Sequence, residues 1–128
     1  MDLHPLGHLE LDVMKVVWDR GNTTVMEVLG VLQRGRRLHY NTVMTVMNRL
    51  FRKGWLARQA GSGRAYRYQP RISRKLASQT YLRTVTRDFF DGSVSGAIAA
   101  FLGSTRPSAS EISRLKTLLN EVKGKGMR

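Results

Sequence analysis

The chain has 128 residues, a hydrophobic fraction of 41% and a formal net charge of +13. This length suits one domain, or one small domain with an oligomerisation element, and the hydrophobic fraction is too high for a disordered tail. Cysteine is absent, and no signal-peptide pattern or apolar run of ~20 residues occurs, so disulfides, thiolate metal sites and a membrane span are excluded and a cytoplasmic location is expected.

The positive charge is concentrated in the middle of the chain. No Asp or Glu lies between Glu27 and Asp88, and this stretch contains fourteen Lys and Arg residues. So many uncompensated cations repel one another, which favours a polyanionic partner that they neutralise. A merely solubilising surface and an acidic membrane surface are the alternatives.

Two short helices are predicted first. Apolar residues at helical spacing predict a helix over 8–20, ended by Gly21. The segment "TVME", from Thr24 to Glu27, is a capping box that begins a second helix ending near Gly35. The short "GNT" turn between them is typical of a helix-turn-helix motif.

The segment "HYNTVMTVMNRLFRKGWL", residues 39–56, predicts a third helix that ends at Gly54. One side has the spacing of a core-facing stripe: Val43, Val46, Met47, Leu50 and Phe51. The segments "WLARQ" and "RAYRYQ" then read as strands separated by the hairpin sequence "AGSG". Three helices followed by a basic hairpin predict a winged helix.

The other side of the third helix contains no acidic residue and carries side chains that suit base edges. In helix-turn-helix proteins this helix enters the major groove, where Asn pairs with adenine, Thr contacts thymine and Arg reads guanine. The predicted base-reading residues are Asn41, Thr42, Met44, Thr45, Asn48 and Arg49. The predicted phosphate contacts, each of which has a purely solvated or structural alternative, are Thr24, Tyr40, Arg52, Lys53, Arg64 and Arg67.

Three further helices are predicted after residue 70. Ser73 begins a helix to about Phe90, a short apolar helix follows, and "SASE" from Ser108 caps the last one. Residues 1–70 are therefore assigned to a DNA-binding domain and 71–128 to a helical domain, which either folds back on the first or, as we prefer, forms a homodimer. The predicted interface consists of Val85, Phe89, Val94, Ile98, Phe101, Leu102, Leu115, Leu118 and Leu119.

No enzyme chemistry is indicated. The chain has no Gly-rich phosphate loop, no paired carboxylates and no nucleophile–base spacing, and no cofactor is expected. His4 and His8 have a spacing that suits a metal on a helix, but Pro5 lies between them, so no metal site is predicted. The fold class expected is mainly α with a small β-hairpin wing: a winged helix-turn-helix domain plus a C-terminal helical dimerisation domain.

Three segments together resemble the penicillinase repressor family. They are "LGHLELDVMKVVWDRGNTTVMEVLGVL", "YNTVMTVMNRLFRKGWLARQ" and "GRAYRYQP", which cover residues 6–70, whereas the later part matches only in its helix pattern. The resemblance implies a homodimeric transcriptional repressor whose winged helices read the halves of a palindromic operator on double-stranded DNA. It places base contacts at Asn41, Thr42, Met44 and Thr45.

The resemblance also implies an inactivating protease as a partner. Antibiotic-responsive members are cut at an Asn-Phe bond, and the matching position here is Ala100–Phe101, where Phe is kept and Asn is not. The alternative function is an architectural, nucleoid-type protein that binds DNA with little sequence preference. RNA binding is a third alternative, although exposed aromatics for base stacking are not predicted on the sheet.

Overall fold

The computed structural model describes residues 6–61, 63 and 65–126. Within that part the elements are α1 (His8–Arg20), α2 (Val25–Leu32), α3 (Tyr40–Arg52), β1 (Leu56–Ala60), β2 (Tyr66–Pro70), α4 (Arg74–Phe90), α5 (Val94–Ser104) and α6 (Ala109–Gly126). The predicted fold class, helices with a small β-hairpin wing, is confirmed. None of the described helices combines the length and the apolar character needed to cross a membrane.

The first two helices are bounded by local hydrogen bonds that the sequence specifies. The Thr24 hydroxyl accepts from the Glu27 N–H at 3.2 Å, and the Glu27 carboxylate accepts from the Thr24 N–H at 2.9 Å. This confirms the predicted capping box, which satisfies backbone donors that helix α2 leaves unpaired. Helix α2 ends at Leu32, earlier than the predicted end near Gly35.

The core lies between the first three helices and the hairpin. Trp55, Leu56 and Tyr68 from the hairpin region are almost fully buried against the apolar stripes of the helices. The predicted stripe of α3 is confirmed for four residues, whereas Phe51 is only half-buried. The buried apolar set is Val13, Met14, Val16, Val17, Val25, Val28, Leu29, Leu32, Val43, Val46, Met47, Leu50, Trp55, Leu56, Tyr68, Ile72 and Ala77.

The wing is an antiparallel hairpin in which Arg58 lies opposite Tyr68. Both strands begin and end slightly later than predicted. Before β1 the chain turns at Gly54, whose φ of +87° few other residues adopt. The outer edge of β2 also pairs with the turn before α2: the Tyr68 N–H donates to the Thr23 carbonyl at 2.8 Å, and the Thr23 N–H donates back at 3.0 Å. The wing is therefore fixed directly to the helix-turn-helix segment.

The chain divides into two compact units, Met1–Leu82 and Arg83–Arg128, called here the N-terminal and C-terminal units. The first turns of α4 belong to the N-terminal unit, where Ala77 and Thr80 are buried. The division thus falls inside a helix. The boundary at residue 70, which concerns where the DNA-binding domain ends, stays a prediction.

The C-terminal unit contains the end of α4 followed by α5 and α6. Ser93 caps α5 by accepting from the Gly96 N–H at 2.9 Å, and Ser108 accepts from the Glu111 N–H at 3.2 Å at the start of α6. Ser73 begins α4 in the same way, accepting from the Leu76 N–H at 3.0 Å. The predicted caps at Ser73 and Ser108 are confirmed, while the cap at Ser93 was not predicted.

Candidate nucleic-acid interface

Helix α3 presents a polar, acid-free face to solvent. Asn41, Thr42, Thr45 and Arg49 are exposed on this face. No side chain caps the start of α3, so backbone N–H groups at the N-terminus of this helix remain available to an acceptor outside it. Met44 differs from the others, because it is half-buried and packs against the core. Any contact that Met44 makes outside the protein therefore uses only part of its side chain.

Asn48 links the polar face of α3 to the wing. Its side-chain oxygen accepts from the Arg58 guanidinium at 2.7 Å and from the Tyr68 hydroxyl at 3.2 Å. The Arg58 guanidinium also lies over the Phe51 ring, 4.0 Å from its centroid, and over the Tyr66 ring at 4.2 Å. We call Asn48, Arg58 and Tyr68 the Asn48 network. Two of its bonds cross from α3 to the hairpin.

Arg58 was not among the predicted site residues. An arginine in a strand reads as a phosphate contact or a solvated charge, and its position opposite Tyr68 follows only from the register of the hairpin. The sequence signal that could have indicated Arg58 is the clustering of aromatic residues at "AYRY" beside a basic strand. Cations that stack on aromatic rings are held more rigidly than solvated ones.

A groove of about 260 Å³ lies between the start of α2, the inner edge of α3 and the wing. Thr24, Tyr40, Met44 and Tyr66 line it. Tyr40 is 41% exposed, so its ring is available at the surface as well as to the groove. Asn48 also lines the groove, so four predicted DNA-contacting residues surround one concave surface beside the polar face of α3.

The predicted phosphate contacts differ in how strongly the protein already holds them. Lys53 lies 2.9 Å from Glu10, and the two side chains are only 27% and 8% exposed. Arg67 donates to the Asn22 side-chain oxygen at 2.8 Å and lies 3.5 Å from Glu27. Arg52 is exposed and makes no ion pair within the described residues. Arg64 lies outside the described residues.

The charge in the basic stretch is compensated in part, contrary to the expectation from sequence order. Arg36 pairs with Asp12 at 2.9 Å, and Arg74 lies 3.6 Å from Asp19. These acidic residues lie in helices before the stretch, so the order of charges along the sequence does not reveal the ion pairs. Within the described residues, four cations of the stretch pair with such acids: Arg36, Lys53, Arg67 and Arg74. Arg87 pairs instead with its sequence neighbour Asp88.

Two glutamates at this surface are held in their charged form. Burial of Glu10 alone raises its pKa, but the hydrogen bond from the Gly7 N–H and the hydrogen bond and charge of Lys53 outweigh burial and hold that pKa below 4.5. The Thr24 N–H, followed by Arg20, likewise lowers the pKa of Glu27 against a smaller effect of burial. Both carboxylates therefore fix cations and backbone at neutral pH.

The predicted residues of the C-terminal unit lie on its three helices. Ala100 and Phe101 are inside α5, so the bond between them has helical backbone. The predicted interface residues are exposed apart from Leu115, which is half-buried. Within the described residues no group of three potential metal ligands occurs. His4 lies outside the described residues.

Comparison with known proteins identifies the family. The family model described as "Penicillinase repressor" matches residues 6–121. The chain belongs to the penicillinase repressor family. It is 28% identical over 120 residues to the "Penicillinase repressor" of Bacillus licheniformis, a match that covers 94% of this chain and 93% of that protein. It is 36% identical to the "Transcriptional regulator BlaI" of Mycobacterium tuberculosis, over 91% of this chain and 84% of that protein.

Solved structures support the same family and fold. The solution structure of the DNA-binding domain of the repressor BlaI matches with a TM-score of 0.51 and 30% identity, over 57% of this chain and 88% of that one. RosR of H. salinarum matches over 97% of this chain and 99% of that one, with a TM-score of 0.53 and 14% identity, and shows likeness of fold alone. The winged helix of this penicillinase repressor family member is thus shared with a DNA-binding domain.

Proposed function

We propose that this protein is a homodimeric transcriptional repressor that inserts α3 into the major groove at each half of a palindromic operator. Membership of the penicillinase repressor family and 36% identity to a protein named a transcriptional regulator support repression. The likeness of 57% of this chain to the DNA-binding domain of the repressor BlaI supports DNA as the target.

The observation that carries the proposal is the exposed, acid-free face of α3 beside a basic wing. Asn41 suits bidentate pairing with adenine, Thr45 suits hydrogen bonding or contact with a thymine methyl, and Arg49 suits guanine or phosphate. Asn48 is proposed to contribute only its amide N–H groups to DNA, because its oxygen accepts from Arg58 and Tyr68. The Asn48 network then sets the angle between the recognition helix and the wing.

The phosphate contacts are proposed to be unequal. Arg52 is exposed at the end of α3, and we assign it the strongest role in gripping the backbone. Lys53 must leave or share the Glu10 carboxylate to reach a phosphate, so its contribution is expected to be smaller. Thr24 and Tyr40 line the groove next to α3, and Arg67 lies beside that groove. A phosphate contact is proposed for Arg64 from its position in the wing sequence alone.

Dimerisation is supported by apolar side chains that the single chain leaves in water. Phe89 is 78% exposed, Phe101 is 68% exposed and Leu119 is 64% exposed. No residue of α5 is buried, although most of its sequence is apolar. Large exposed apolar areas mark protein interfaces, and the commonest soluble oligomer is a two-fold dimer. A second C-terminal unit offers an apolar surface that complements this one.

The proposal is tested by retention of sheared genomic DNA at ~150 mM salt, followed by sequencing. Sharp enrichment of a short dyad-symmetric sequence is expected. Thr45→Ala should weaken binding to that sequence by about 1–3 kcal/mol and leave other DNA unchanged, whereas Arg52→Ala should weaken all DNA equally. Diffuse retention, with Thr45→Ala and Arg52→Ala acting alike, would instead establish an architectural protein.

A further inference from the structure

A second concavity, of about 480 Å³, lies in the N-terminal unit between α1, the segment that enters β1, and the first turns of α4. None of the residues that line it belongs to the exposed face of α3. Its volume falls within the ~300–1,000 Å³ of small-molecule sites. The DNA-binding role proposed above does not use it.

Three aromatic rings form the floor and walls of this cavity. Trp55 is fully buried, and its ring stacks on Tyr81 with centroids 6.4 Å apart and an interplanar angle of 19°. Trp18 meets Trp55 edge to face at 6.5 Å. The Trp18 indole N–H donates to the Ile72 carbonyl at 2.8 Å, and the Tyr81 hydroxyl accepts from the Leu6 N–H at 3.1 Å. These bonds fix the rings, so the apolar surface is already formed.

The charged residues that line the cavity are both cations. Lys15 and Arg74 are exposed, as is Ser78, and among the described residues no acidic side chain lines the cavity. Lys15 makes no ion pair in the part of the chain that the structure describes. The Arg74 guanidinium lies 5.4 Å from the Trp18 ring centroid and 3.6 Å from Asp19, an exposed pair that stabilises the fold little. An anionic group at the mouth therefore finds Lys15 and also Arg74, whose weak pair with Asp19 it can share or replace.

We propose that this cavity binds a small organic anion with an apolar body that contains an aromatic ring, such as an aromatic carboxylate. The body packs against Trp18, Trp55 and Tyr81, where aromatic groups favour stacked or edge-to-face contact. The carboxylate lies between Lys15 and Arg74 and accepts charge-assisted hydrogen bonds. Neither the apolar walls nor the cations alone define this ligand class; their combination in one cavity does.

The cavity is tested by titrating the full chain with para-tert-butylbenzoate and with its neutral analogue para-tert-butylbenzamide. Calorimetry gives the affinities, and tryptophan emission reports the location, because the chain has two tryptophans and both line the cavity. The benzoate is expected to bind and change the emission. The benzamide is expected to bind at least about tenfold more weakly, since it lacks the charge-assisted contacts.

Substitutions of residues that line the cavity test whether the ligand binds there. Lys15→Met and Arg74→Met should each weaken the benzoate several-fold and leave the benzamide unchanged. Lys75→Met is the matched control, because Lys75 is exposed next to Arg74 but does not line the cavity. Ser78→Phe should block the cavity to both compounds. If circular dichroism shows that Ser78→Phe does not fold, the comparison of Arg74→Met with Lys75→Met decides whether the benzoate binds in the cavity.

Three results would overturn the proposal. They are the absence of heat and emission change at millimolar benzoate, equal affinity for benzoate and benzamide, and unchanged benzoate binding in the folded Ser78→Phe variant. A change in sedimentation caused by Ser78→Phe, with no benzoate binding to the wild type, would assign the cavity to contact with a second copy of the chain. The binding experiment contains no DNA, so its result is independent of the proposed repressor function.

Discussion

At the scale of single residues, the Asn48 network joins the hairpin to a side chain of α3 for which a DNA contact is proposed. The Tyr68 hydroxyl is almost fully buried and donates to Asn48 at 3.2 Å. Tyr68→Phe removes only this bond and should lower the free energy of unfolding by about 1 kcal/mol. Urea unfolding followed by tryptophan emission reports the N-terminal unit, which contains both tryptophans.

Tyr66→Phe is the matched control for Tyr68→Phe. Tyr66 lies two residues earlier in the same strand and is 46% exposed, so loss of its hydroxyl should leave the unfolding midpoint within error of the wild type. Equal effects of the two substitutions would show that the bond to Asn48 does not stabilise the wing. The position of Asn48 between helix and hairpin would then need another explanation.

The Glu10–Lys53 pair gives a second prediction at this scale, in the pH dependence of stability. The folded state lowers the pKa of Glu10 below 4.5, so its contribution is present above that value and is lost as the pH falls through the lowered pKa. Glu10→Gln should therefore lower the free energy of unfolding by about 1–2 kcal/mol near pH 7. The difference from wild type should shrink at an acidic pH below the lowered pKa, because the protonated Glu10 side chain is then neutral like that of Gln.

Asp12→Asn provides the comparison for Glu10→Gln. Asp12 also pairs with a cation at 2.9 Å, but that pair is largely exposed and should contribute about 0–1 kcal/mol. The same urea unfolding experiment at both pH values measures the two variants. A loss for Glu10→Gln that does not depend on pH would contradict the role assigned to its charge.

At the scale of elements, Thr24 at the start of α2 has two roles to distinguish, helix capping and a proposed phosphate contact. The hydroxyl caps the helix by accepting from the Glu27 N–H, and a phosphate contact is proposed for the same residue. Asp is an equally good N-cap, but it repels phosphate. Thr24→Asp should therefore keep the stability of the N-terminal unit within about 0.5 kcal/mol and still weaken all DNA binding.

Ser73→Asp is the control for Thr24→Asp. Ser73 caps α4 through the same kind of bond, to the Leu76 N–H at 3.0 Å, and no DNA contact is proposed for it. Melting curves and filter binding to random-sequence DNA measure both variants. Unchanged DNA binding by Thr24→Asp would leave capping as the whole role of Thr24.

Elements could be predicted well from this sequence, whereas side-chain partners could not. Capping boxes and apolar spacing are local signals, so α1, α3 and the cap at Thr24 follow from a few neighbouring residues. The bond between Asn48 and Arg58 depends on the register of the hairpin against α3, which a linear pattern does not contain. The pairing of Lys53 with Glu10, which lies in α1, is missed for the same reason.

The exposed face of α3 shows what local signals do provide at the site. Its acid-free composition identified Asn41, Thr42, Thr45 and Arg49 as outward-facing, and all four are exposed. Met44 is also predicted on this face, but its side chain is half-buried, because its long apolar chain packs against neighbouring buried residues. Whether these residues read bases remains the prediction that operator binding tests.

At the scale of the whole molecule, the proposed repressor depends on its C-terminal unit only through pairing of two chains. Phe101 is 68% exposed in the single chain, and burial of such a ring in an interface is strongly favourable. Phe101→Asp places a charge there and should give a monomer by sedimentation equilibrium. Because a second linked half-site contact can raise avidity by ~10²–10⁴, the monomer should lose operator affinity by a factor of that order.

The control for Phe101→Asp is Ser110→Asp, which adds the same charge at an exposed position in the first turn of α6. A helix N-terminus tolerates an acid, so this variant should remain a dimer. In Phe101→Asp, tryptophan-monitored unfolding of the N-terminal unit should match the wild type at a concentration where both are monomeric, which separates loss of pairing from loss of fold. A wild type that is monomeric while bound to its operator, or a Phe101→Asp variant that binds the operator as tightly as Ser110→Asp, would refute the dimer. The exposed apolar side chains of α5 would then contact a different partner.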